Sequence, residues 1–301
     1  MIDPLAEVVA LLQPGARYSK VVAGAGAWRV RRADAGLPFY AVVLEGACQL
    51  TVDGQPPLAL RAGDFVLVPA AQPFTNSSAT PPAAEVPDVP PTQLPDGTYR
   101  VGDTDGPPDV RLLLGHCQFG SPDAALLVSL LPQLVHVRGE PRLTSLVQLL
   151  IDETRAGRPA RDEVLARLLE VLLIEALRST QGTAAAPGSA GLVRGLADAR
   201  LAAALRGVHE QPARAWTIEA MAKEAALSRS AFFERFSRAV GVAPMSYLLA
   251  WRMALARKLL RDDSLGVADV AERVGYSSAS TFSVAFTRHV GQPPARYARG
   301  A

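Results

Sequence analysis

One short pattern occurs twice in the last third of the chain, and a chain that carries it has little choice of fold there. Ala222-x3-Ala226-Leu227-Ser228 opens into residues 229–236, and 49 residues further on Ala271-x3-Gly275-Tyr276-Ser277 opens into residues 278–286. Each copy reads as a short helix, a tight turn and a second helix. Two helices that cross closely need a small residue at the crossing, a Gly or small residue at the turn and a Ser or Thr cap on the second helix. Both copies supply all three. Two such helix-turn-helix units in tandem can set two recognition helices into successive major-groove faces of one DNA segment. The pattern implies a DNA-binding chain.

Charge is divided to match. From 192 onward there are 16 Lys+Arg against 9 Asp+Glu, and in the remainder 15 against 20. A basic C-terminal part suits phosphate contact, and an acidic N-terminal part does not compete for it. With 301 residues and 49% hydrophobic side chains the chain is long enough for two domains with their own cores. Its start carries neither a basic region nor a long apolar stretch. The apolar run near 164–177 is broken by Arg167, Glu170 and Glu175, so it reads as amphipathic helix and no membrane span is expected. Two cysteines argue against a disulfide scaffold, which places the expected compartment in the cytoplasm.

The N-terminal region has a different period. Residues 39–44, 48–52, 58–60 and 65–69 are apolar or β-branched runs separated by Glu45-Gly46, Asp53-Gly54 and Gly63-Asp64. That spacing predicts an antiparallel barrel or sandwich. Residues 77–108 hold eight prolines and predict a long loop, either a disordered insert or a lid. Strand signals return at 110–119. From 122 the period becomes helical: Leu143, Leu146, Val147 and Leu150 form one stripe, and Val164, Leu165, Leu168, Leu169 and Leu172 a second. This pair could pack on its own barrel or on the same helices of a second chain, as a homodimer. Residues 181–191 have the composition of a linker.

The C-terminal residues resemble the AraC/XylS family of bacterial transcription regulators. The marks are G-x-x-P-x-x-Y after each second helix (Gly241 to Tyr247, Gly291 to Tyr297), the Trp251-Arg252-Met253 start of a connecting helix, and Gly275-Tyr276-Ser277-Ser278. The resemblance covers about 195–299. It implies double-stranded DNA as partner, with RNA polymerase as the usual target of activation. It also implies contact positions: Arg229, Ser230, Phe233 and Glu234 on the first recognition helix, and Ser278, Ala279, Ser280, Ser283 and Val284 on the second. Phe232 and Phe236, like Phe282 and Phe286, fall inward at core spacing. The second set is short of long polar side chains, which suits thymine methyls, shape or phosphate better than bidentate base contacts.

Residues 20–120 resemble the cupin barrel that often precedes this DNA-binding domain. Cupin enzymes hold a metal with several imidazoles, whereas here no His precedes His116 and Phe74 stands where one is usual. The alternative of a metal-dependent cupin enzyme fused to a DNA-binding domain therefore lacks its ligands, and neither metal nor cofactor is expected. An apolar pocket for a small effector would remain, with Trp28, Tyr40 and Phe74 as candidate lining or plain barrel core. The cysteines suggest a second signal. Gly46-Ala-Cys48-Gln49 is echoed by Gly115-His116-Cys117-Gln118, and if the two strands are neighbours an oxidant could join the thiols, with His116 beside Cys117 to lower a thiol pKa or share a soft metal such as Cu(I). Some relatives with a similar barrel sense oxidants this way. The alternative is that both are buried small hydrophobes, with His116 on the opposite face from Cys117.

The expected fold is α+β: a cupin-like antiparallel β-barrel sensor domain over 1–132, a helical pair over 133–180, a linker over 181–191 and an all-α tandem helix-turn-helix domain over 192–301. The expected function is sequence-specific transcription regulation, as an activator under control of a small effector or oxidant.

Overall fold

Burial along the strands decides how the N-terminal half is layered. The computed structural model describes every residue except 1–2, 33–36, 71, 84–87, 89, 122–123, 180–190, 262–264 and 300–301. After helix α1 (Pro4–Leu12) come strands β1 (Pro14–Ala25), β2 (Arg29–Arg32), β3 (Phe39–Glu45), β4 (Ala47–Val52), β5 (Leu58–Arg61), β6 (Asp64–Val68), β7 (Phe74–Ser78), β8 (Thr92–Gln93), β9 (Tyr99–Gly102) and β10 (Val110–Phe119). A short helix α2 (Ala124–Ser129) and strand β11 (Val135–Arg138) follow. They form a seven-stranded sheet in the order β11-β6-β3-β10-β1-β9-β8 and a four-stranded sheet in the order β2-β7-β4-β5.

On β4 only every second residue is buried: Cys48, Leu50 and Val52. That alternation marks a sheet with one covered face. By contrast β6 is buried at every position and β3 at its first five, which requires cover on both faces. One cover is the other sheet: Val110, Leu112 and Leu114 of β10 join Cys48, Leu50 and Val52 in a single inter-sheet core. The other is the helical pair α3 (Pro141–Ala156) and α4 (Arg161–Ser179), which lies on β1, β3, β10 and β11. The predicted stripes thus pack on their own sheet through Leu143, Val147, Leu150, Leu165, Leu169 and Leu172. Leu146 and Leu168 are only half-buried, and Val164 is exposed.

Two strand-level expectations need correction. The proline-rich stretch is not loop throughout: Thr92 and Gln93 pair with Arg100 and Tyr99, and β9 runs parallel to β1 from Val22↔Tyr99 to Ala25↔Gly102. Prolines exclude central strands but tolerate such an edge. The echo of Gly46 in Gly115 is also superficial. Gly46 turns the chain at φ 75°, whereas Gly115 is small because the Tyr40 ring crosses it. The Tyr40 hydroxyl and Ser19 Oγ then lie 2.8 Å apart.

The chain separates into two compact units, and the cut differs from that expected at 132. Residues 13–121 and 132–187 form one, while 1–12, 122–131 and 188–301 form the other. The reason is α1, whose buried Leu5, Val8, Val9 and Leu12 make an apolar face that packs in the C-terminal unit. The predicted linker lies, but for Gly191, outside the described residues.

The C-terminal unit continues with α5 (Leu192–Ala197), α6 (Ala199–Glu210), α7 (Ile218–Glu224), α8 (Arg229–Val240), α9 (Pro244–Leu260), α10 (Val267–Arg273), α11 (Ala279–Val290) and α12 (Pro294–Arg299). Among the described residues no single helix is long and apolar enough to cross a membrane.

Candidate nucleic-acid interface and sensor pocket

Each helix-turn-helix is built by the same local chemistry. In the first, Thr217 Oγ1 accepts from the Ala220 amide (3.1 Å) to cap α7, and Ser228 Oγ accepts from the Ala231 amide (3.3 Å) to cap α8. Between them Ala226 takes the left-handed conformation at φ 50°, which lets the Leu227 amide reach back to the Ala222 carbonyl (2.9 Å). In the second, Gly275 stands at φ 82° and the Tyr276 amide reaches the Ala271 carbonyl (2.9 Å). The cap, however, is Ser278 and not Ser277, with Oγ accepting from the Thr281 amide (3.2 Å). The second turn is therefore one residue longer, and the repeat spacing grows to 50 beyond it: Phe232 and Phe236 match Phe282 and Phe286.

The repeated G-x-x-P-x-x-Y then has a structural cause. Gly241 and Gly291 end α8 and α11 in the left-handed conformation, and Pro244 and Pro294 restart a helix. Each tyrosine falls edge-on against the last phenylalanine: Tyr247 on Phe236 with centroids 5.8 Å apart, Tyr297 on Phe286 at 5.6 Å. Helix α9 serves both cores. Trp251 is buried at its middle, and Met253, Ala256 and Leu260 enter the second core. Arg252 between them donates to the Pro212 carbonyl (2.9 Å) and the Arg214 carbonyl (2.8 Å), and lies against Gly275. A single side chain thus touches both units.

With the phenylalanines inward, the expected contact residues lie outward. Arg229, Ser230, Phe233 and Glu234 are exposed, and Arg229 Nε holds Glu219 Oε1 at 2.8 Å in an ion pair open to solvent. Such a pair contributes little to stability and can open for a phosphate or base. On α11, Ser280 is exposed and Val284 is 71% exposed, the most open large apolar side chain among the described residues. Ser278 departs from expectation, because capping and bonds to Ser280 and Thr281 occupy its hydroxyl. Ser283 likewise donates back to the Ala279 carbonyl (2.7 Å) and offers only an acceptor outward, while Ala279 is half-buried.

Sequence reasoning missed a groove beside α8. Arg194 of α5, Arg200 of α6 and Arg238 of α8 line it together with Arg235 and Asp198. Arg235 is an ion-pair partner of Asp198. Partial burial works to raise the Asp198 carboxyl, but Arg235 and the Leu201 and Arg200 amides outweigh it and hold the group below its usual range. The remaining three guanidinium groups are exposed. Nothing in their spacing along the chain announces this; folding of α5 and α6 against α8 brings them together.

The candidate sensor residues divide. Trp28 and Phe74 line a narrow apolar slot of about 40 Å3, together with His116. Tyr40 does not line it; on β3 it alternates with Phe39, Ala41 and Val43 of the inter-sheet core and points to the sheet's other face, toward Ser19 and Cys117. The cysteines fail the condition for pairing. β4 and β10 lie in different sheets, and Cys48 enters the inter-sheet core, whereas Cys117 occupies the alternate register of β10, on the sheet's other face. Both are free and buried, and burial pushes each thiol up to about 12. These are protonated thiols without access, the opposite of a reactive site. Among the described residues no three His, Cys, Asp or Glu side chains gather to hold a metal.

Comparisons with known proteins agree with this arrangement. A family model described as Cupin matches residues 3–182, and one described as Helix-turn-helix domain matches 221–300. A protein of Streptomyces lividans described as an AraC-like transcription regulator is 35% identical over 98% of both chains, and one of Streptomyces antibioticus is 34% identical over the same share. The solved DNA-binding domain of AdpA, in complex with a target DNA, is 30% identical over 33% of this chain and 89% of its own, at a TM-score of 0.32. A cupin domain and a duplicated, capped helix-turn-helix in one chain, shared end to end with such relatives, place this protein in the family of AraC-like DNA-binding transcriptional regulators.

Proposed function

We propose that the chain reads one DNA segment sequence-specifically with α8 and α11, grips its backbone with Arg194, Arg200 and Arg238, and activates transcription when the barrel slot takes up a small effector. The observation that carries the reading is the split between the faces of the two helices. Their inward faces are the same, Phe-x3-Phe under a tyrosine, and the outward faces bear side chains that no packing explains, Phe233 and Val284 above all. An exposed valine on a recognition helix matches the thymine methyl group. Three solvent-facing arginines beside α8 match phosphate oxygens. Activation implies a touch on RNA polymerase, and the exposed Leu149, Val164 and Val171 on α3 and α4 supply a surface for a second copy.

The effector reading is favoured over the redox one by burial of both thiols on opposite sheet faces. The test is binding of the protein to the DNA upstream of its own gene, followed by fluorescence anisotropy with scrambled DNA as control. A specificity ratio of about 10^3 or more at physiological salt is expected. Equal affinity for both DNAs would defeat the reading. Oxidation that changes affinity and is abolished by Cys48→Ser or Cys117→Ser would restore the thiols as the sensor.

A further inference from the structure

The two helix-turn-helix units share a rod and meet again beside it. Helices α6 to α8 pack on one another and α10 to α12 on one another, with α9 between the two groups. Each group grips α9 through apolar side chains: Trp251 stacks on His209 in the first core, and Met253, Ala256 and Leu260 enter the second. Apolar burial has no preferred direction. It holds each unit to the rod, and it resists separation better than it resists rocking about the rod.

Three consecutive carbonyls of the loop between α6 and α7 close that freedom. Arg252 of α9 donates from Nε to the Pro212 carbonyl at 2.9 Å and from Nη2 to the Arg214 carbonyl at 2.8 Å. The carbonyl between them, Ala213, faces Gly275 in the turn of the second unit. A Cβ at Gly275 would stand 2.8 Å from that oxygen and closer still to the Arg252 guanidinium. The loop is itself braced. Trp216 Nε1 donates to the Gln211 carbonyl at 2.9 Å, and the Arg214 guanidinium lies 4.2 Å from the centroid of the Trp216 ring. Two donors of one planar guanidinium fix its orientation, which a single ammonium cannot do. The first unit's loop, the rod and the second unit's turn therefore converge on Arg252.

We propose that Arg252 is a positioning residue that locks the interval between the two recognition helices, so that α8 and α11 together accept one spacing of their DNA sites. This rests on the reading of both helices as DNA readers. Helix α9 sets the distance between the units, and Arg252 against Gly275 removes the rocking that the rod alone permits. One added base pair moves the second site by about 3.4 Å along the DNA and about a tenth of a turn around it. A locked pair of helices cannot follow that step, and a loose pair can.

The experiment gives the full chain two readouts. Nitroxide labels at Ser230→Cys and Ser280→Cys, both exposed, report the interval between α8 and α11 by pulsed electron paramagnetic resonance without DNA; Cys48 and Cys117 are buried and stay unlabelled. With Arg252 in place one narrow distance distribution is expected, with Arg252→Met one about twice as wide, and with Arg252→Lys one in between. The second readout is affinity for the footprinted DNA upstream of the protein's own gene, before and after one base pair is inserted between the two protected segments. Insertion should weaken the wild type by about a hundredfold and Arg252→Met by less than about tenfold, although that variant binds the uninterrupted operator about tenfold more weakly. Met253→Ala opens a cavity in the second core; it should lower the melting temperature yet keep the narrow distribution and the full insertion penalty. Full retention of either readout by Arg252→Met, or by Arg252→Lys where the methionine variant does not fold, would overturn the proposal, as would equal broadening in Met253→Ala. A wild type without preference for its operator over scrambled DNA refutes the regulator, whereas a normal preference with an unaltered interval in the Arg252 variants refutes this inference alone.

Discussion

The two helix-turn-helix units are alike within and unlike without. Both cap the second helix with Ser, bury Phe-x3-Phe, end on a left-handed Gly and close with a Tyr on the last ring. Outward, α8 offers Arg229, Glu234 and the arginine groove, whereas α11 offers Ser280, Ser283 and Val284. Even the two tyrosine hydroxyls differ in partner. Tyr247 meets His209 Nε2 at 2.7 Å, and Tyr297 accepts from Arg261 Nη2 at 3.1 Å. The shared part is what a helix-turn-helix needs to fold. The part that differs is free to set how each helix reads DNA.

The comparison can be broken first at its shared core. Phe236→Ala and Phe286→Ala should each cost about 3–5 kcal/mol, because each removes a fully buried ring from a small core. Denaturant melts of the two variants should agree; a loss confined to one would mean that the cores are not equivalent. The turns should respond with opposite sign. A Cβ at Gly275 would meet the Ala213 carbonyl at 2.8 Å as well as a positive φ, so Gly275→Ala should cost about 2–3 kcal/mol. Ala226→Gly relieves a left-handed alanine, and the melt should move by no more than about 1 kcal/mol, toward greater stability.

The outer faces should separate by kind of effect. Arg238→Gln should weaken binding to all DNA sequences and lower the salt slope by about one. Val284→Ser should leave that slope alone and lose about 1 kcal/mol at one base pair, as a set of single-base operator variants would reveal. Equal slopes for both variants would contradict the assignment.

The smallest effect at neutral pH grows toward acid. His209, with no exposed side-chain surface, lies between Glu7 Oε2 (2.7 Å) and Tyr247, stacked on Trp251 at 3.9 Å. Glu7 can only accept, so Nδ1–H donates to it, and the Tyr247 hydroxyl donates to Nε2 of a neutral ring. Burial pushes His209 below its usual value, against the pull of Glu7. The unfolded chain then takes up this proton first as pH falls through about 6.5. Stability is full above that pH and drains below it, through the folded value. The partner of the Tyr297 hydroxyl is a guanidinium instead of a buried imidazole, so hydrogen exchange should show α6 and the start of α9 loosening in acid before α11 does. Simultaneous loosening of both would show that His209 is not the cause.

Much of this was legible in the chain because local chemistry carried it. Thr217 and Ser228 cap where a hydroxyl precedes an apolar period, and Phe232 and Phe236 face inward because four residues return to one side of a helix. The run 48–52 between Glu45-Gly46 and Asp53-Gly54 likewise announced the strand β4. The longer second turn was not legible, since two adjacent serines, Ser277 and Ser278, can both cap and only the backbone chooses.

By itself, then, the sequence determined the kind of elements, their inward faces and the duplicated DNA-reading unit, because propensity, capping and periodicity act within a few residues. Only the tertiary structure decided which distant groups meet. It parted Cys48 from Cys117 across a sheet, gathered Arg194, Arg200 and Arg238 into one groove, set Trp28, Phe74 and His116 around one slot, and seated α1 with the C-terminal helices. Such meetings depend on strand order and helix crossing. Those are settled by the packing of the whole chain, which no short window of residues contains.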